Sequence, residues 1–125
     1  MNVVDSSAWL CYFAAETNSQ VFAKPIIDTQ NLLVPSITIT EVYKHVLRHR
    51  GQTAALSVAA HMQQGKVVDL DSQLAINAAN YGVLHKLPLA DSIIFATAQQ
   101  YNAVLWTQDA DFDGLNNVKF YAKNN

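Results

Sequence analysis

Short continuous apolar runs of strand length exchange along this chain with longer stretches in which apolar residues recur at helical spacing. Asn2-Val3-Val4-Asp5 reads as a strand, and Ser6-Ser7 as N-cap residues for a helix carrying Trp9, Leu10, Cys11, Tyr12 and Phe13. Asn18 to about Gln30 forms a second helical pattern, in which Pro25 predicts a kink or break. Leu32-Leu33-Val34-Pro35 is a second strand closed by its proline, and Ser36 or Thr38 is placed to cap a helix running through Glu41, Val42, Val46 and Leu47 to Arg50. Gly51 separates it from a further helix, Gln52 to about Gln64, with Ala54, Ala55, Val58, Ala59 and Met62 at helical spacing. The pair predicts a helical hairpin, and the small residues of its second arm suit an interface.

Gly65 ends the hairpin, Lys66 to Leu70 reads as a third strand, and Asp71 or Ser72 caps a helix carrying Leu74, Ile76, Ala79, Val83 and Leu84. After Leu87-Pro88-Leu89 the pattern restarts, and Ala90 to about Tyr101 is apolar on nearly all sides, as in a helix buried on several faces. Ala103 to Trp106 is a buried strand, and Val118 to Tyr121 a last strand at the sheet edge. Strand and helix in turn predict an α/β fold, a three-layer sandwich whose mainly parallel central sheet has about five strands, in a single domain over residues 1–125.

Composition narrows the function classes. Only 14% of the residues are charged and the formal net charge is −2, so nothing draws the whole molecule to nucleic acid and any such contact needs a local basic patch. Lys44, His45, Arg48, His49 and Arg50 supply one, with Glu41, Lys44 and Arg48 sharing a helix face. The same cations also suit the C-terminal end of a solvated helix. Cys11 stands alone, which excludes an internal disulfide and fits a reducing compartment. With neither a secretory leader nor an apolar span, the expectation is a cytoplasmic protein with no membrane partner.

The chemistry lies in the acids. In a parallel sheet the strand C-termini share one edge, where ligands bind. Asp5 and Asp109 both fall at that edge, Glu41 lies in the early turns of a helix that follows a strand, and Asp91 is in the first turn of another. Each of them alone also reads as a turn or cap residue. Packed together they repel and lose hydration, so a fold tolerates the group chiefly when a cation joins it. An oxygen-only set points to a hard ion, Mg²⁺ or Mn²⁺, which polarises a phosphodiester and activates water. Asp109-Ala110-Asp111-Phe112-Asp113-Gly114 also mimics the opening of an EF-hand calcium loop. The twelfth position of such a loop, which should be a bidentate Glu, is Phe120, and strands rather than helices flank it. Asp113-Gly114 is more simply a turn.

Val3-Val4-Asp5-Ser6-Ser7-Ala8, Ser36-Ile37-Thr38-Ile39-Thr40-Glu41-Val42, Leu89-Ala90-Asp91-Ser92 with the Ile93 to Ala98 that follow, and Leu105 to Phe112 resemble, in order and spacing, the motifs of PIN-domain ribonucleases. The resemblance covers essentially the whole chain, and the small size is similar to the VapC-like toxins of toxin-antitoxin pairs. It implies a PIN-like fold and a Mg²⁺- or Mn²⁺-dependent endoribonuclease. Residue by residue, Asp5, Glu41, Asp91 and Asp109 match the family's acidic metal-binding quartet, and Ser6 and Thr107 its adjacent hydroxyls. Asp111 matches a frequent fifth acid, whose role varies between supporting the ligands and binding metal. Lys44 and Arg48 become candidate RNA phosphate contacts. The implied partners are an RNA substrate, a cognate antitoxin and a second copy of the chain in a homodimer.

Two other readings keep the fold and change the function. A phospho-acceptor receiver also places acids at strand ends, but it has paired acids after its first strand and a Lys-Pro after its last inner one. Here Ser6-Ser7 follow Asp5, and Lys24-Pro25 lies inside an early helix. A PIN fold kept only for binding would not need the whole quartet.

Overall fold

The computed structural model describes residues 1–123. Its sheet has five strands, β1 (Asn2–Val4), β2 (Leu32–Pro35), β3 (Lys66–Val68), β4 (Val104–Thr107) and β5 (Val118–Phe120), in the order β3-β2-β1-β4-β5. All four pairings are parallel, so every strand presents its C-terminal end to the same edge. β1 is central, with Val3 opposite Leu33 on one side and Leu105 on the other. The last strand is an edge strand, as its half-polar pattern predicts.

Six helices cover the two faces: α1 (Ser6–Phe13), α2 (Ser19–Ile27), α3 (Ser36–Arg50), α4 (Gln52–Met62), α5 (Ser72–His85) and α6 (Leu89–Gln100). Side chains alternate across a strand, so neighbouring residues feed opposite cores. Val3, Leu33 and Leu105 pack with Leu74 and Ala78 of α5 and with Ile93 to Ala98 of α6. Val4, Leu32, Val34 and Trp106 pack with Ala8, Trp9, Phe22, Val42, Ala55 and Met62 of the first four helices. The result is the three-layer α/β sandwich expected from the sequence. The small face of α4 is used inside the chain, with Ala55 and Ala59 buried in the hairpin with α3.

Several boundaries differ from the sequence pattern for identifiable reasons. Asp5, not Ser6 or Ser7, is the N-cap of α1, its carboxylate accepting the Ala8 N–H at 2.9 Å. α3 starts behind Pro35 with no side-chain cap, and the Thr38 hydroxyl donates back to the Pro35 carbonyl at 2.7 Å. α2 ends at Ile27 with Pro25 inside it, and a short 3-10 turn, Thr29–Asn31, completes the segment predicted as helix. β3 stops at Val68 because this edge strand pairs only with β2, leaving Asp69 and Leu70 nothing to extend along. Asp71 caps α5 as predicted, accepting from the Leu74 N–H.

The isolated aromatic and histidine residues pack. Trp9 is buried and stacks on Phe13, and His61 of α4 meets the rings of Trp9, Tyr12 and Phe13 edge-on. His85 lies against Tyr81 and Phe95. Among the described residues no helix is long and apolar enough to cross a membrane.

Candidate metal centre

The acids converge from four elements at the C-terminal edge of the sheet. Asp5 follows β1, Asp91 sits in the first turn of α6, and Asp109 and Asp111 belong to the turn after β4. Carboxylate oxygens of Asp91, Asp109 and Asp111 all lie within 4.8 Å of one another. Asp5 and Glu41 stand outside that tight group, each held by its own hydroxyl partners.

Asp5 is the deepest. Its carboxylate accepts from three donors, the Thr107 hydroxyl at 2.7 Å, the Ala8 N–H at 2.9 Å and the Ser7 hydroxyl, shared between its two oxygens at 2.9 and 3.0 Å. Burial pushes its pKa up to about 6, against the pull of those donors and with a further push from the charge of Asp109. Glu41, half-buried on α3, accepts the Ser6 hydroxyl at 2.5 Å, so α1 and α3 meet at the centre through a charge-assisted bond.

Asp109 is fixed from both directions. Its N–H donates to the Thr107 hydroxyl oxygen at 2.9 Å, and its carboxylate accepts the Asp111 N–H at 2.9 Å, capping the short 3-10 turn Ala110–Phe112. Thr107, wholly buried, therefore bridges Asp5 and Asp109 with one hydroxyl. Gly114 takes φ +84°, which closes the turn at Asp113-Gly114 and leaves Asp113 outside the cluster.

Asp91 carries the largest electrostatic load. Its pKa rises to about 7, first through burial and then through the carboxylates of Asp109, Asp5, Glu41 and Asp111. Every charge acting on it is another acid. This oxygen-only donor set, crowded to the point of disfavouring its own ionisation, fits a hard divalent cation of the Mg²⁺ or Mn²⁺ type. The residues available to hold one are Asp91, Asp109 and Asp111, with Asp5 and Glu41 adjoining.

Ser6 and Thr107, the two hydroxyls singled out in the sequence, each donate to a different acid, Ser6 to Glu41 and Thr107 to Asp5. Ser7 was not anticipated, although it donates to both oxygens of Asp5. Its proximity in the chain was the available signal, but Ser-Ser after a strand reads first as a helix cap. Lys44 and Arg48 are exposed on α3, one and two turns beyond Glu41, and take no part in the cluster.

Among curated proteins none matches the sequence. Solved structures match in shape over nearly the whole chain. A toxin-antitoxin complex from Klebsiella pneumoniae superposes with a TM-score of 0.83 at 19% identity, covering 98% of this chain and 99% of that one. Mycobacterium tuberculosis VapC20, a Sarcin-Ricin loop cleaving toxin, gives 0.76 at 18% identity over 93% of this chain and 95% of that one. A DNA-bound VapBC from Salmonella typhimurium gives 0.74 at 16% identity over 97% and 96%. At these identities the likeness shows the fold. The PIN domain family model matches residues 3–117, a span that takes in all of β1 but Asn2, every acid of the cluster and all six helices. With that match over nine-tenths of its length and this edge of acids in place, the chain belongs to the PIN domain family.

Proposed function

We infer that the protein is a Mg²⁺- or Mn²⁺-dependent endoribonuclease and the toxin of a toxin-antitoxin pair. The observation that carries the reading is the meeting of Asp91, Asp109 and Asp111 within 4.8 Å, on a PIN domain, where only carboxylates act on Asp91. When bound, a divalent cation supplies Lewis-acid polarisation of the phosphodiester and activation of water. The residues of the chain do the positioning. Asp91, Asp109 and Asp111 hold the cation, with Asp5 and Glu41 completing the acidic set.

Preorganisation comes from hydroxyls and backbone N–H groups. Ser7, Ala8 and Thr107 lock the Asp5 carboxylate in one orientation, Ser6 locks Glu41, and Thr107 ties Asp5 to Asp109. Lys44 and Arg48, on the helix that bears Glu41, are the proposed phosphate contacts, positioning RNA without reading its sequence. The toxin role is supported by the toxin-antitoxin complexes among the structural neighbours, and a cognate antitoxin is the proposed protein partner. A second copy of the chain is proposed to cover the apolar face of α5 and the start of α6, where Ile76, Val83, Leu84 and Leu89 are exposed.

The test is to map RNA ends after brief expression and to assay the purified, antitoxin-free protein with Mg²⁺ and Mn²⁺, using Asp5→Asn and Asp91→Asn as controls. Cleavage by the wild type alone is the expected result. No cleavage, or equal cleavage by the variants, defeats the reading.

A further inference from the structure

Gln108 separates the two residues that the centre depends on, Thr107 and Asp109, yet its side chain bonds to none of the acids and is buried at 8% exposure. A buried carboxamide needs partners, and it finds them on remote parts of the chain. Its Nε2 donates to the Ser7 carbonyl at 3.4 Å, and its Oε1 accepts from Asn18 Nδ2 at 3.3 Å. Asn18 Nδ2 also reaches the carbonyls of Tyr121 at 3.4 Å and Ala122 at 3.0 Å. The Tyr121 N–H in turn donates to the Thr107 carbonyl at 2.9 Å, and its ring lies parallel to Trp106 and edge-on to Phe22.

A closed circuit results. It runs from the Asp109 turn through Gln108 to the start of α1, and through Asn18 to the segment after β5. Both ends return to the carboxylates, because Ser7 donates to Asp5 and Thr107 bridges Asp5 and Asp109. Behind the circuit lies a cavity of about 620 Å³, with Ser7 and Gln108 in its wall beside Leu10, Phe13 and Val46. Phe112 anchors the turn in the core on the opposite face of the sheet, and on the side of the cavity Gln108 holds it through side-chain hydrogen bonds.

We propose that Gln108, backed by Asn18, is a positioning residue for the metal centre, holding the Thr107–Asp109 turn against α1 so that Asp109 and Asp111 stay with Asp91 at the spacing a cation requires. The inference rests on the centre proposed above. Gln108→Met keeps the length and volume of the side chain and removes its hydrogen bonds. Partners of metal ligands typically cost ten-fold or more in metal affinity when lost, so the variant is expected to bind Mn²⁺ about ten-fold more weakly. Asn18 Nδ2 keeps the Tyr121 and Ala122 carbonyls as acceptors in this variant, so its metal-free melting temperature is expected to stay within about 2 °C of wild type.

The experiment titrates Mn²⁺ into the purified full chain, following the free-ion signal by electron paramagnetic resonance, for wild type, Gln108→Met, Asn18→Ala and the double variant. If the two residues act as a unit, the double variant binds no more weakly than the weaker single one. Unchanged Mn²⁺ affinity in Gln108→Met overturns the inference. So does a loss of affinity matched by a fall in metal-free melting temperature, which marks a packing role, and additive losses overturn the link through Asn18. Wild-type protein that binds no Mn²⁺ defeats the centre itself and the inference with it, an outcome distinct from selective failure at Gln108.

Discussion

Replacing Asp91 by Asn should make the metal-free protein more stable. The carboxyl titrates at about 7 rather than 3.8 because burial and neighbouring acids oppose its charge. That shift of roughly three units is worth about 4 kcal/mol against the folded state once the group is ionised. Asp91 is only half-buried, and solvent screening cuts the figure to about 1–2 kcal/mol. The sign follows from linkage: between the unfolded and folded pKa values the native state binds more protons, so metal-free stability falls as pH rises from about 4 to 7. Asn carries no charge, so its advantage should be full near pH 8 and nearly absent near pH 4.

For a domain of this size each kcal/mol moves the melting temperature by about 3–5 °C, so the variant should gain about 4–8 °C near pH 8 without metal. Saturating Mn²⁺ at about 100 times its dissociation constant should add about 2.7 kcal/mol to wild type and far less to the variant. Thermal melts across pH, with and without Mn²⁺, measure both. An Asp91→Asn protein that melts below wild type in metal-free buffer near pH 8 would refute the reasoning. The carboxylate would then be a structural bond.

Thr107→Val keeps the shape of a wholly buried side chain but strips donors and acceptors from Asp5 and Asp109; we expect a loss of about 1–3 kcal/mol by chemical denaturation and a further rise in the Asp5 pKa, readable by carboxyl NMR titration. Gly65→Ala would bring a Cβ to 2.9 Å from the Leu32 carbonyl oxygen and 3.0 Å from Leu32 Cγ and Val34 Cγ2. That crowding at the start of β3 should cost about 1–3 kcal/mol in urea unfolding, and an unchanged midpoint would contradict it. If the second copy proposed to cover α5 is there, Val83→Glu with Leu84→Lys should convert that dimer to a monomer in light scattering while leaving the far-ultraviolet dichroism intact, since both residues are exposed on α5, and a wild type that scatters as a monomer would contradict the proposed face. Lys44→Ala with Arg48→Ala should weaken RNA binding and flatten its salt dependence, leaving Mn²⁺ binding unchanged.

The sheet and its acidic edge were legible because the signals are local. Val3-Val4-Asp5 and Leu105 to Asp109 each show an apolar run breaking into charge, and parallel strands bring such ends together whatever the intervening chain does. What periodicity does not carry is which apolar residues are covered. In α5 Leu74 and Ala78 face the core, whereas Ile76, Val83 and Leu84, read as part of the same apolar helix, are exposed. Caps misled where one residue serves two ends. Asp5 caps α1 with the same carboxylate that faces the centre, so Ser6 and Ser7, read as caps, were free to hold Glu41 and Asp5 instead. Gln108 was invisible for a different reason: its partners lie 90 and 101 positions away, and nothing in a local window marks them.

The central place of β1 sets a timetable for synthesis. Its neighbour β4 lies at the far end of the chain, and the hydroxyl that fixes Asp5 comes from Thr107, 102 positions later. At roughly 5–20 residues per second, the ribosome takes about 5–20 s to pass between them. Throughout that interval β1 has at most β2 beside it, and Asp5 has neither Thr107 nor the turn that carries Asp109 and Asp111. The acidic edge therefore cannot close on a nascent chain that stops short of β4, and a protein truncated by premature termination before Thr107 lacks both the hydroxyl that holds Asp5 and the turn that carries Asp109 and Asp111.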